Sequence, residues 1–408
     1  MPIYNIAKSF FALLFSTLAL SAGSALQNTL LSVMLRYAGH PEYMVGIVMS
    51  AYNLGMIMGF FICQKLVQRV GHIRAFTALS AIASCVAICH GLYQSLLFWF
   101  VLRFISGICI ASLYMVVESW LNEMVDQNIR GRILSIYMII VYFGNGLGQL
   151  MINTAGIEGK EIFMILGMVF AFCIPPMALT RAINPRPLQS VQFDFVKLMR
   201  LAPSSMFGTF TSGLVLGAFY VMGPVYCIDS GIGISQITVF MMVTVWSGLL
   251  FQWPVGMLSD RFNRLNILAG LGIFAALISI IMIFAGSLDF THYLNLPDLA
   301  IFAHLKFNIM LLLTALFGVV FTIYPVSLAR AQDNIDQNNI IPVSAALILC
   351  YSAGSAFGPV LSSALMHRVG PSGLYIFCAV TSALMGCASL YLRFKRGTHN
   401  RISFTAAK

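Results

Sequence analysis

Tyr114-Met115-Val116-Val117-Glu118-Ser119-Trp120-Leu121, running on to Val125-Asp126-Gln127-Asn128, has a counterpart 210 positions later. There Tyr324-Pro325-Val326-Ser327 runs on to Ile335-Asp336-Gln337-Asn338. The apolar segments that follow carry Gly144-x-x-x-Gly148 and Gly354-x-x-x-Gly358 at the same offset. Earlier in each half, the loop residues Arg69 and Arg261 stand 192 positions apart. The chain is therefore one pattern written twice in the same direction.

Composition says what solvent surrounds that pattern. Of 408 residues, 59% are apolar and only 9% are charged, where a soluble domain would carry about 25% charge. Lipid must bathe most of such a chain, and lipid requires every backbone N–H and C=O to be satisfied internally. Apolar runs of helical length without period-2 alternation select helices over a barrel. The net charge of +10 comes from scattered basic residues, which gives nucleic acid no patch to meet. The nine cysteines are equally dispersed, with no C-x-x-C and no histidine at ligand spacing, so neither a disulfide nor a metal site is expected.

Apolar stretches able to span a bilayer fall at 9–35, 43–66, 74–94, 97–119, 133–154, 161–181, 203–226, 235–257, 265–286, 307–329, 340–366 and 371–392. The first is too long for the apolar core of a signal peptide and reads as a membrane helix. The longest polar interruption, rich in Pro and charge, places a linker at 183–202 between six-helix bundles at 1–182 and 203–393, with a tail at 394–408. With a cytoplasmic N-terminus, eighteen basic residues fall on the cytoplasmic side and four (Arg36, Lys160, Lys306, Arg368) on the other. The positive-inside rule then puts both termini in the cytoplasm. Two parallel six-helix repeats are an architecture of secondary transporters, with the solute site near the bilayer midplane.

Polar residues inside these helices are the candidates for that site. In the fourth helix Arg103, Gly107, Ala111, Tyr114 and Glu118 make one continuous stripe. Arg103 lies about two turns inside the membrane, where a charge needs a partner or a cavity. A rise of ~1.5 Å per residue puts Glu118 about 22 Å away, too far to pair with it. Arg103 is thus either an anion-binding group or a hydrogen-bonding hub to helix carbonyls. The first helix offers Ser24, Asn28 and Ser32 with Gln27 beside them; the second offers Asn53. The fifth places Tyr142, Asn145, Gln149 and Asn153 on one face, with Gly144 and Gly148 on another for close helix approach. Tyr220, Trp246, Gln252, Tyr324 and Tyr351 are the cavity candidates of the second half. Each could instead be interhelical packing or an interfacial anchor.

The loop after the eighth helix reads Gly256-Met257-Leu258-Ser259-Asp260-Arg261-Phe262-Asn263-Arg264. It closely resembles the G-x-x-x-D-R-x-G/N-R motif of the major facilitator superfamily, which there latches the cytoplasmic side. Asp260 can meet a helix N-terminus, and the arginines can pair with an acid at a neighbouring helix end. The first-half copy, Gln68-Arg69-Val70-Gly71-His72-Ile73-Arg74, has Gln64 for the motif's Gly and Gln68 for its Asp. A latch there would be weaker or differently built. Glu118, near the same end, is expected to join it with Arg69, Arg74 or Arg132, or else to stand as a solvated interfacial acid. A positive-inside loop without gating is the alternative for both loops.

The resemblance narrows further. Val117-Glu118-Ser119-Trp120-Leu121, Arg130-Gly131-Arg132, Gln252-Trp253-Pro254-Val255-Gly256, Thr322-Ile323-Tyr324-Pro325-Val326 and Tyr351-Ser352-Ala353-Gly354-Ser355 together look like the YcaD-type bacterial branch of that superfamily. The branch implies an all-α membrane protein of twelve helices, in two pseudo-symmetric six-helix bundles, in the bacterial inner membrane. It implies a transporter whose small-molecule substrate the branch does not supply, and Arg103 and Glu118 match its membrane-embedded arginine and the acid that follows.

The expectation is a secondary transporter, acting as a monomer without cofactor or metal, moving a small organic solute by alternating access. Protons are an open choice of coupling ion. No G-x-x-x-x-G-K-S/T motif offers ATP a site, and no catalytic constellation supports an enzyme. Efflux of hydrophobic or cationic compounds is the second reading. It lacks a mid-membrane acid, and Gln149 stands where the antiporter motif G-x-x-x-G-P has its proline. A non-transporting sensor on the same fold is the third.

Overall fold

A computed structural model describes residues 3–124, 130–155, 159–179, 202–287, 299–333 and 340–405. Among them are twelve helices long and apolar enough to cross a membrane. They are α1 (Phe10–Tyr37), α2 (Glu42–Val70), α3 (His72–His90), α4 (Leu96–Leu121), α5 (Arg132–Thr154) and α6 (Glu161–Ala178). The second set is α7 (Pro203–Asp229), α8 (Ile234–Arg261), α9 (Arg264–Gly286), α10 (Leu305–Gln332), α11 (Val343–Val369) and α12 (Gly373–Phe394). No strand occurs among the described residues. The helix of α12 continues to Thr405, where the sequence suggested a tail from 394. The linker expected at 183–202 lies almost wholly outside the described residues.

Prolines shape two of the helices. α6 pauses between Ala171 and Ile174 and resumes with Pro175-Pro176 in its first turn, where proline's missing N–H costs nothing. In α10 the stretch Gly318–Thr322 tightens to a 3-10 helix just before Pro325. Proline's ring would clash with the carbonyl four residues earlier in a regular α-helix, so the strain is taken up there.

Small residues set the closest approaches, and the two halves use them alike. A Cβ at Gly148 would land on the carbonyl of Ala22, so α5 lies directly on the backbone of α1. A Cβ at Gly354 or Gly358 would land on the carbonyls of Phe210 and Leu214, so α11 lies in the same way on α7. By compactness the chain divides into two units. The first takes the described residues within Met1–Ser190 together with Tyr220–Trp246; the second takes those within Val191–Phe219 and Ser247–Lys408.

Candidate functional site

Gly55 on α2 and Gly107 on α4 face each other. A Cβ on Gly107 would strike the carbonyl of Tyr52, and one on Gly55 the carbonyl of Phe104. This backbone contact slides the Tyr52 ring beneath Arg103, one turn along α4 from Gly107. The guanidinium carbon lies 4.4 Å from the ring centroid. Arg103 is 1% exposed. Its Nη2 donates to Asn28 Oδ1 of α1 at 2.5 Å. Its Nε and Nη1 are buried without a hydrogen-bond partner among the described residues. No carboxylate forms an ion pair with it among those residues.

Around this cation α1, α2 and α4 converge in neutral polar contacts. Gln27 Nε2 donates to Ser106 Oγ at 3.2 Å, and Ser24 shares a hydrogen bond with Tyr52 at 3.3 Å. About three turns along the α4 stripe from Arg103, the Tyr114 hydroxyl donates to Ser21 Oγ at 3.0 Å. Asn53 is buried on α2. The stripe of α4 and that of α1 therefore do meet, with Tyr52 and Ser106 between them.

The α5 candidates spread over several contacts. Gln149 is fully buried, accepts from Thr29 at 2.6 Å, and keeps Nε2 without a partner among the described residues. Asn145 donates to Val141 of its own helix, and Tyr142 is half-buried. Phe143 stacks on Trp246 with centroids 5.5 Å apart. Tyr220 and Gln252 are half-buried, while Tyr324 and Tyr351 pack edge to face at 5.4 Å in the second unit.

In each unit the end carrying its arginine-rich turn, α2–α3 in the first unit and α8–α9 in the second, is here called its basic end and holds the proposed gate residues. Gly71 makes the α2–α3 turn at φ +82°, which a side chain would strain. Arg69, Arg74, Arg132 and Arg261 are exposed, and Gly256 is half-buried. Glu118 accepts from the Tyr137 hydroxyl at 2.9 Å, and no arginine pairs with it among the described residues. Asp260, its side chain 76% exposed, touches Arg264 at 3.5 Å. The short ion pair at this end runs instead from Arg264 Nη1 to Asp333 at the end of α10, 2.7 Å.

At the opposite end Arg36 holds two acids. Its Nη2 meets Glu42 at 2.9 Å and its Nε meets Asp229 at 2.5 Å. Asn153 of α5 donates to Thr238 of α8 at 3.0 Å. These contacts, with the Phe143–Trp246 stack, tie the facing ends of α7 and α8 into the first unit. Sequence reasoning passed over Tyr52, Arg36, Asp229, Asp333 and His90. For Tyr52 a signal existed, a tyrosine three residues before a glycine in a helix facing Gly107; for Asp229 and Asp333 nothing local marks the partner.

The profile of the Major Facilitator Superfamily matches residues 13–339. The uncharacterized MFS-type transporter YcaD of Escherichia fergusonii is 29% identical over 406 residues, covering 99% of this chain and 100% of that one. The YcaD of Salmonella arizonae is 32% identical over 375 residues, 91% of this chain and 92% of that one. Among solved structures, the nucleoside transporter NupG aligns with a TM-score of 0.74 at 12% identity, over 94% of this chain and 98% of that chain. A bacterial homolog of the human lysosomal transporter Spinster, inward-facing and occupied, aligns with a TM-score of 0.73 at 14% identity, over 95% and 96%. The twelve-helix architecture is thus one shared with known transporters, and the chain belongs to the major facilitator superfamily of multi-pass membrane transporters.

Proposed function

We propose that this chain is a secondary carrier that moves a small organic anion across the bacterial inner membrane by alternating access, with Arg103 receiving the solute's charge. The observation that supports it is a buried guanidinium whose surroundings are all neutral: Asn28, the Tyr52 ring, and two nitrogens without partners. A structural hub would spend those donors on helix carbonyls. A charge held at membrane depth costs about 3 kcal/mol, which an arriving anion would recover. The distribution of basic residues supports both termini on the cytoplasmic side. Cationic efflux is disfavoured, because no Asp or Glu stands at mid-membrane depth in the apolar segments of either half.

The test is uptake of a panel of small labelled organic anions into proteoliposomes. Saturable uptake of at least one is expected. Arg103→Ala should reduce it by roughly tenfold or more, while Arg103→Lys, keeping the charge, retains part. Unchanged uptake by a folded Arg103→Ala protein would make the arginine structural and end this reading.

A further inference from the structure

One ionisable group near this centre is untouched by the reading above. His90, the last residue of α3, is fully buried. Its Nδ1 lies 2.8 Å from the carbonyl of Val86, so Nδ1 carries the proton and Nε2 is left with a bare lone pair. Nε2 has no hydrogen-bond partner among the described residues. A lone pair kept away from water and from donors is costly unless something arrives to use it.

What surrounds it is specific. The ring packs edge-on against Trp99, centroids 5.8 Å apart. Trp99 in turn lines a cavity of about 470 Å³ at the end opposite the basic one, together with Tyr37, His40, Gln94 and Ser95. One turn deeper along α4 from Trp99 lies Arg103, so the indole stands beside the imidazole and on the helix that carries the guanidinium. The other ionisable groups on the helices packed around α3 are engaged elsewhere. Glu42 meets Arg36, the Tyr52 ring lies under Arg103, and Glu161 curls back over Gly159. Tyr93 packs against Phe98, and Lys160 supplies no negative charge to the pair.

We infer that His90 Nε2 is a proton-binding site coupled to the anion at Arg103, so that a monocarboxylate and one proton load together. The inference rests on the anion reading of Arg103. Two basic groups in one low-dielectric region repel when both are charged. An anion on the guanidinium cancels its field, and the imidazole can then accept a proton. By linkage, the proton tightens anion binding by the same factor. One carboxylate and one proton add no net charge, so the loaded and empty carriers bear the same charge and a full transport cycle moves none across the membrane. The mid-membrane acid that proton carriers of cations need has no place in this arrangement.

Trp99 supplies the readout, because a protonated imidazole quenches an adjacent indole. The protein, with Trp120, Trp246 and Trp253 replaced by Phe, is placed in lipid nanodiscs and titrated from about pH 8 to about pH 5. Trp99 emission should fall as the pH drops, and His90→Gln should abolish the fall. A series of straight-chain monocarboxylates from formate to hexanoate, with the matching amides as neutral controls, then probes the coupling. At least one acid should move the quenching to higher pH, and Arg103→Gln should erase that movement. If the three Phe replacements impair folding, the imidazole nitrogen signals of the unmodified chain labelled at histidine report the same titration. Quenching that is absent, or that survives in His90→Gln, overturns the proton site. Carboxylates that bind saturably without moving the titration overturn the coupling and leave the anion reading standing. A His90 that titrates while no carboxylate binds overturns the anion reading itself.

Discussion

The two basic-end corners are built at matching positions from opposite chemistry. At the start of α3, His72 is 1% exposed, and its Nε2 meets Ser119 Oγ near the end of α4 at 3.2 Å. Trp120 lies edge-on beside it at 6.3 Å. At the start of α9, the counterpart 192 positions on is Arg264, which pairs with Asp333 at the end of α10 at 2.7 Å. Arg330 approaches the same carboxylate at 3.8 Å, and these side chains are 13–35% exposed. One corner is dry and neutral; the other is wet and charged. Mid-bundle the halves trade places. Arg103 is buried in α4, and its counterpart 210 positions on is Leu313, 7% exposed. The first half buries a charge at mid-bundle and joins its corner by a neutral contact, while the second joins its corner by an ion pair and is apolar at the matching mid-bundle position. A wet ion pair contributes little, up to about 1 kcal/mol, and is screened by salt. It therefore makes a tie that can be broken and remade, whereas the packed neutral corner gains little from opening.

The largest effect should come from erasing the mid-bundle difference. Leu313→Arg puts a guanidinium where, among the described residues, no asparagine and tyrosine ring meet as Asn28 and Tyr52 do around Arg103. The expected cost is about 3 kcal/mol or more, read as loss of the monodisperse peak or a sharply lower Tm in detergent. A Leu313→Arg protein as stable as the parent would mean that a buried cation needs no dedicated partners here, and the contrast between the halves would lose its physical basis.

Next in size is the charged corner. Arg264→Ala leaves Asp333, among the described residues, with the longer ion pair to Arg330. Local opening should become about fivefold more frequent, measured as faster amide hydrogen exchange in the α8–α9 turn, which corresponds to about 1 kcal/mol. Raising the parent protein to about 1 M salt should give part of the same acceleration, because screening weakens that pair directly. Exchange in the α2–α3 turn should respond to neither change. Equal acceleration in both turns would show that the corners open as one unit.

Much of this contrast was legible in the sequence, and the reasons are physical. The twelve helices followed from apolar runs, because lipid leaves a spanning chain no other regular choice with this pattern. The departure of Gln64 and Gln68 from the motif marks the first corner as differently built from the sequence alone. The α4 stripe placed Arg103, Tyr114 and Glu118 on one face by helical arithmetic alone. What sequence could not supply was partnership across helices. Asp333 lies three residues before the repeated Asp336-Gln337-Asn338, and nothing in its neighbours says that Arg264 will reach it. Glu118 looked like a partner for arginine and instead takes a tyrosine from α5. Tyr52 became visible only through the glycine-to-glycine contact that slides α2 along α4. Such registers depend on packing between segments distant in sequence, which periodicity within one segment does not encode.

The smallest expected effect belongs to the neutral corner, and it is the most discriminating. Removing Ser119 alone would take from the imidazole of His72 the hydroxyl it meets at 3.2 Å. Removing both groups together, as His72→Leu with Ser119→Ala, takes away donor and acceptor at once and leaves an apolar contact beside Trp120. Replacing both members of a buried hydrogen bond by apolar groups of similar shape is close to neutral. Exchange in the α2–α3 turn should therefore change by no more than about twofold, at low and high salt alike. The matching double change in the other corner, Arg264→Leu with Asp333→Leu, should still open the α8–α9 turn, because a half-exposed apolar pair does not replace an ion pair bridging two helix ends. An α2–α3 turn that loosens as much as its counterpart would show that His72 carries charge in its working state, and both corners would then be latches of one kind.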